Sequence, residues 1–90
     1  MKIKLMNAFE DMVEFDVGKI KDINLIVINV VSGDEIMDVY YKNGETKTFD
    51  SDRHGRCMSF QDARYVLYQP GVINKLKDKQ WQEREYQYYM

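Results

Sequence analysis

The sequence predicts an α+β domain: a small antiparallel β-sheet of three to five strands, with a central meander over residues 24–50, and a C-terminal helix. Three observations lead there. Residues 24–31 are rich in β-branched side chains and too short for a stable isolated helix. Gly33-Asp34 and Asn43-Gly44 bracket a second such run. Asn-Gly is a strong hairpin signal, because a tight two-residue turn needs positive φ at both central positions. Pro70-Gly71 then opens a segment in which Val72, Ile73 and Leu76 share one helical stripe, with Trp81 and Tyr88 at its margin.

The meander has a register that arithmetic supplies. A two-residue loop at Asn43-Gly44 pairs Lys42 with Glu45, Tyr41 with Thr46, Tyr40 with Lys47 and Val39 with Thr48. A two-residue loop at Gly33-Asp34 pairs Val30 with Met37, Ile28 with Val39 and Ile26 with Tyr41. Side chains alternate between faces, so one face collects Ile26, Ile28, Val30, Met37, Val39, Tyr41, Thr46 and Thr48. The other collects Leu25, Val27, Asn29, Val31, Asp38, Tyr40, Lys42, Glu45, Lys47 and Phe49. Leu25, Val27 and Val31 sit poorly in water, so that second face calls for a cover: the N-terminal segment, the C-terminal helix or another chain.

Before the meander, residues 2–6 alternate as a strand with Ile3 and Leu5 inward. Asn7 with Glu10 resembles a helical capping box, with Phe9, Met12 and Val13 at helical spacing. Residues 12–17 also alternate, with Val13, Phe15 and Val17 on one side, and a strand before Gly18 is favoured. After the meander, residues 59–68 read either way. Ser59 to Asp62 is a capping pattern with Phe60, Ala63 and Leu67 on one helical face, whereas residues 64–68 have strand composition.

Ninety residues make one domain, 1–90, with residues 81–90 as a flexible aromatic tail. Net charge is −2, split as −4 over residues 1–50 and +2 over residues 51–90. No apolar run approaches the roughly 20 residues that span a bilayer, and no apolar segment follows Lys2 and Lys4, so neither membrane nor signal peptide is expected. The single Cys57 has no partner within the chain, which points to the reducing cytoplasm.

Catalytic chemistry finds little to work with. The five glycines are scattered and form no phosphate-cradling loop, and no cofactor is expected. Asp50, Asp52, His54 and Gly55 match the opening of a calcium loop, but Gln61 stands where its bidentate Glu belongs. Those three side chains remain a weak metal candidate; the simpler reading is a turn whose carboxylates cap backbone amides. His54 and Cys57 lack an orienting partner for nucleophilic work, and Cys57 beside Met58 reads as a small buried hydrophobe.

Binding signals are better. Trp81, Arg84, Tyr86, Tyr88 and Tyr89 are of the types that dominate protein interfaces, and mark the C-terminus for a protein partner or a second copy of the chain. Arg53, Arg56, Arg64, Lys75, Lys77 and Lys79, interleaved with Tyr65 and Tyr68, offer nucleic acid as the alternative partner. The expected function is a non-enzymatic interaction module. In general type (very short, mildly acidic, rich in Tyr, without a catalytic motif) the chain is similar to accessory proteins of phages and other mobile elements.

Overall fold

A computed structural model describes residues 2–31, 33–52, 54–68 and 77–86. The order of elements is β1 (Lys2–Asn7), β2 (Met12–Asp16), a 3-10 turn (Val17–Asp22), β3 (Ile23–Val31), β4 (Asp34–Tyr41), β5 (Thr46–Asp50), α1 (Phe60–Leu67), a second 3-10 turn (Asp78–Gln80) and β6 (Trp81–Tyr86). One six-stranded sheet runs β2-β1-β5-β4-β3-β6. Its pairs are antiparallel except that β6 lies parallel to β3. The α+β class holds, but the sheet has six strands rather than three to five, and it is mixed rather than antiparallel.

The helix also differs in place. Ser59 caps α1 by accepting the Asp62 amide at 3.1 Å, which settles residues 59–68 as helix. Phe60, Ala63 and Leu67 then fall on one buried stripe, at the spacing that repeats on a helix face. So α1 is followed by a strand and is not C-terminal. The stripe of Val72, Ile73 and Leu76 expected after Pro70 lies outside the described residues.

All sequence-read strands of the meander form, but both turns are displaced. At the first turn the pairs are Val31 with Asp34, Ile28 with Met37 and Ile26 with Val39. This is two positions away from the register expected, which leaves every side chain on the face assigned to it. At the second turn Tyr41 pairs with Glu45, so three residues, Lys42, Asn43 and Gly44, make the loop. Gly44 takes the positive φ (91°) that closes such a loop. The resulting slip is one residue, and it inverts β5. Phe49 now faces Met37 on the core side, while Thr46 and Thr48 turn outward beside Tyr40 and Asp38. Burying an aromatic ring outweighs the preference of Asn-Gly for a two-residue turn.

The β1–β2 hairpin repeats that three-residue closure. The Asn7 amide donates to Asp11 O at 2.9 Å, and Asn7 Oδ1 accepts from the Phe9 and Asp11 amides at 2.9 and 3.0 Å. Asn7 therefore organises a turn, not a helix cap. The place that Gly44 fills in the other hairpin is taken here by Glu10, at φ 64°. A side chain in that region costs about 1 kcal/mol or more. Glu10→Gly is expected to stabilise the protein by about 0.5–1 kcal/mol, read as a rise in the urea midpoint at constant slope.

The core lies on one side of the sheet. Ile3, Leu5, Phe15, Ile23, Ile26, Ile28, Met37, Val39, Phe49 and Trp81 present their side chains to α1 and to Ile20 of the first 3-10 turn. Phe15 meets Phe49 edge-on, ring centres 5.8 Å apart. Gln80 ties the start of β6 to β3 by donating to Ile23 O at 2.9 Å.

Candidate functional site

Pairing places residues on common faces, so the outer face of the sheet can be read row by row. Leu25, Tyr40 and Thr46 form one row; Gln82, Val27, Asp38 and Thr48 the next; Arg84, Asn29, Ile36 and Asp50 the third. Val31 closes the face beside Asp34. Val27 is buried at its centre, Leu25, Val31 and Ile36 are half-buried, and Tyr40 is exposed. Asp38 bridges three strands, accepting Asn29 Nδ2 and Thr48 Oγ1 at 2.8 Å each. Its carboxylate is thereby fixed as a polar seam between apolar ends. Among the described residues α1 packs on the opposite, core side; on this face Met6 is buried as well as Val27, and Cys57 Sγ lies 3.1 Å from Met12 Sδ at its β1–β2 end. The β6 strand forms one border of the sheet, so the outward edge of its backbone is unpaired among the described residues.

The C-terminal residues divide. Trp81 is 6 % exposed and belongs to the core. The Arg64 guanidinium stacks at 5.4 Å on both Trp81 and Tyr68 and reaches Glu83 Oε1 at 3.5 Å, binding α1 to β6. Trp81 is thus a structural residue, not an interface one, and residues 81–86 are the sixth strand rather than a tail. Arg84 is exposed on the outer face, with Nη2 donating to Gln82 Oε1 at 2.9 Å. Tyr86 ends β6 opposite Val31. Tyr88 and Tyr89 lie outside the described residues.

Of the basic set, Arg56 pairs with Asp52 at 3.3 Å and Arg64 is held as above, each side chain remaining partly exposed. Lys77 and Lys79 are exposed on the approach to β6. Arg53 and Lys75 fall outside the described residues.

Asp50, Asp52 and His54 border one groove, but among the described residues no three His, Cys, Asp or Glu side chains are placed to hold a metal ion. Asp52 is committed to its own loop. Its carboxylate accepts the amides of His54, Arg56 and Cys57 at 3.0, 2.8 and 3.1 Å. These bonds favour the ionised form, the His54 amide most, with Arg56 adding, and they hold the carboxyl below the usual range despite the cost of desolvation. A depressed pKa stabilises the fold above the ordinary carboxylate range, and that contribution is lost as pH falls through the depressed value. Asp52→Asn is therefore expected to lower the urea midpoint at pH 7 and to narrow its gap to the parent at pH 3; an unchanged gap contradicts this.

Two concavities flank the strands. One, about 500 Å³, opens between the β1–β2 and β4–β5 hairpins around Tyr41. Lys2, Lys19, Lys42 and Lys47 are balanced there by Glu14, Asp16, Asp22 and Glu45, so it selects neither sign of ligand. Burial, then Glu45 and Asp22, raise the Tyr41 hydroxyl above its ordinary pKa, so it keeps its proton through neutral pH. The other, about 450 Å³, lies at the opposite end of β4 and is lined by Glu10, Asp34, Glu35 and Asp50, with Asp52, His54 and Arg56.

Sequence reading found Leu25, Val27 and Val31 as an uncomfortable patch. It missed Ile36, which alternation along β4 puts on the face of Asp38, and Thr48, whose place there depends on the displaced second turn. Comparison with models of known families, with curated proteins and with solved structures finds no match. No helix among the described residues is long and apolar enough to cross a membrane.

Proposed function

We propose that the chain is a non-enzymatic interaction module of the cytoplasm. It binds a protein partner or a second copy of itself through the outer face of the sheet and the adjoining edge of β6. One observation carries this reading: on the face of the sheet opposite the core cluster, Leu25, Val31 and Ile36 are only half-buried and Tyr40 is exposed. An apolar patch framed by polar groups such as Asp38, Thr48 and Arg84 is the usual composition of a protein-binding surface. The single free Cys57 agrees with a reducing compartment.

The test compares the parent with a Leu25→Lys/Ile36→Lys double variant. Sedimentation over a wide concentration range reads self-association; capture from the native cell, with quantitative mass spectrometry, reads a foreign partner. Loss of a dimer or of a specific retained protein in the variant, with an unchanged circular dichroism spectrum, supports the reading. Equal behaviour of both chains overturns it.

A further inference from the structure

We propose that the tip of the β1–β2 hairpin is a second docking element, a rigid knob in which Phe9 enters an apolar pocket on a protein partner whose rim carries Lys or Arg. The knob shares the interaction-module reading of the chain but not its surface. Phe9 is 84 % exposed, whereas Phe15, Phe49 and Phe60 are buried at 3 % or below. Leaving so large a ring in water forgoes its burial energy, and the fold draws no packing from it.

The turn that carries Phe9 is nevertheless tightly built. Four hydrogen bonds close it, two of them to the Asn7 carboxamide, and it keeps Glu10 at positive φ where Gly would sit without strain. A ring held on a fixed turn loses little conformational freedom on binding, which is the property of an anchor residue. Met12, also exposed, adds apolar surface at the base of the knob.

Charge selects the partner. Glu10 and Asp11 flank Phe9 and are exposed. Glu10 also lines the 450 Å³ groove that continues past Asp34, Glu35 and Asp50. A receiving pocket must therefore be apolar within and basic around its mouth.

The test places the photoreactive residue p-benzoylphenylalanine at position 9 of the full chain in its native cell, and in a control at position 65, since Tyr65 is 71 % exposed elsewhere. Irradiation is expected to give one dominant adduct from position 9 and none from position 65. The crosslinked site should map to apolar residues bordered by Lys or Arg. Glu10→Lys/Asp11→Lys should reduce the adduct about tenfold. Phe9→Ala should leave the melting temperature unchanged.

Several outcomes overturn the proposal: no adduct, the same adduct from position 65, an adduct with lipid or with a second copy of this chain, or insensitivity to charge reversal. A fall in melting temperature for Phe9→Ala also overturns it, because the ring would then be packing. The Leu25→Lys/Ile36→Lys variant should keep the position-9 adduct, so failure of the sheet-face reading and failure of the knob are separable.

Discussion

Deleting residues 81–90 is expected to prevent stable folding rather than to release a dispensable tail. The deletion removes β6, which pairs with β3 from Ile26–Trp81 to Val31–Tyr86. It removes Trp81 from the core and frees Arg64 from both Trp81 and Glu83. Emptying a buried Trp site alone costs about 3–5 kcal/mol, against a total stability of about 5–15 kcal/mol for a domain. It also bares the β3 edge beside Ile26 and Ile28, a template for aggregation. Trp81→Ala should show the first part of this cost as a large fall in the urea midpoint. Cooperative unfolding of the truncated chain at the parent midpoint contradicts the place of β6 in the core.

Phe49→Ala is expected to cost about 3–5 kcal/mol, while Thr48→Ala costs about 1 kcal/mol through its hydrogen bond to Asp38. The ratio reports the register of β5. A two-residue turn at Asn43-Gly44 puts Thr48 inward and Phe49 outward, and reverses the ranking. The three-residue turn seats Phe49 against Met37 and edge-on to Phe15. Equilibrium unfolding of the two variants decides between them.

The same pair of turns shows how far the sequence could be read. The β-branched run and the glycines locate β3, β4 and β5 within a residue or two. At Gly33 the error was even, and side-chain faces survive an even slip; at Gly44 it was odd, and they do not. Turn chemistry is local, whereas the burial of Phe49 depends on Phe15 and α1, which lie far away in sequence. β6 was illegible for a related reason. Its polar Gln82-Glu83-Arg84-Glu85 follows no strand pattern, and it is held by parallel pairing to a strand some fifty positions earlier, through Trp81. Asp52 was legible as a cap because Asp in a polar Gly-containing loop commonly accepts nearby amides. The outer face was legible in part, through Leu25, Val27 and Val31, because apolar side chains left over from a core announce themselves by composition. The isolated Phe9 was hidden, since its spacing to Met12 and Val13 also suits a helix.

The accessibility of the outer face is tested most directly by methyl NMR of the dilute full chain with a soluble gadolinium chelate. The methyls of Leu25, Val31 and Ile36 are expected to relax strongly, and those of Leu5, Ile28 and Val39 to be spared. Leu25 and Ile36 as well protected as Val39 would mean that the chain covers its own outer face and keeps no such surface for a partner.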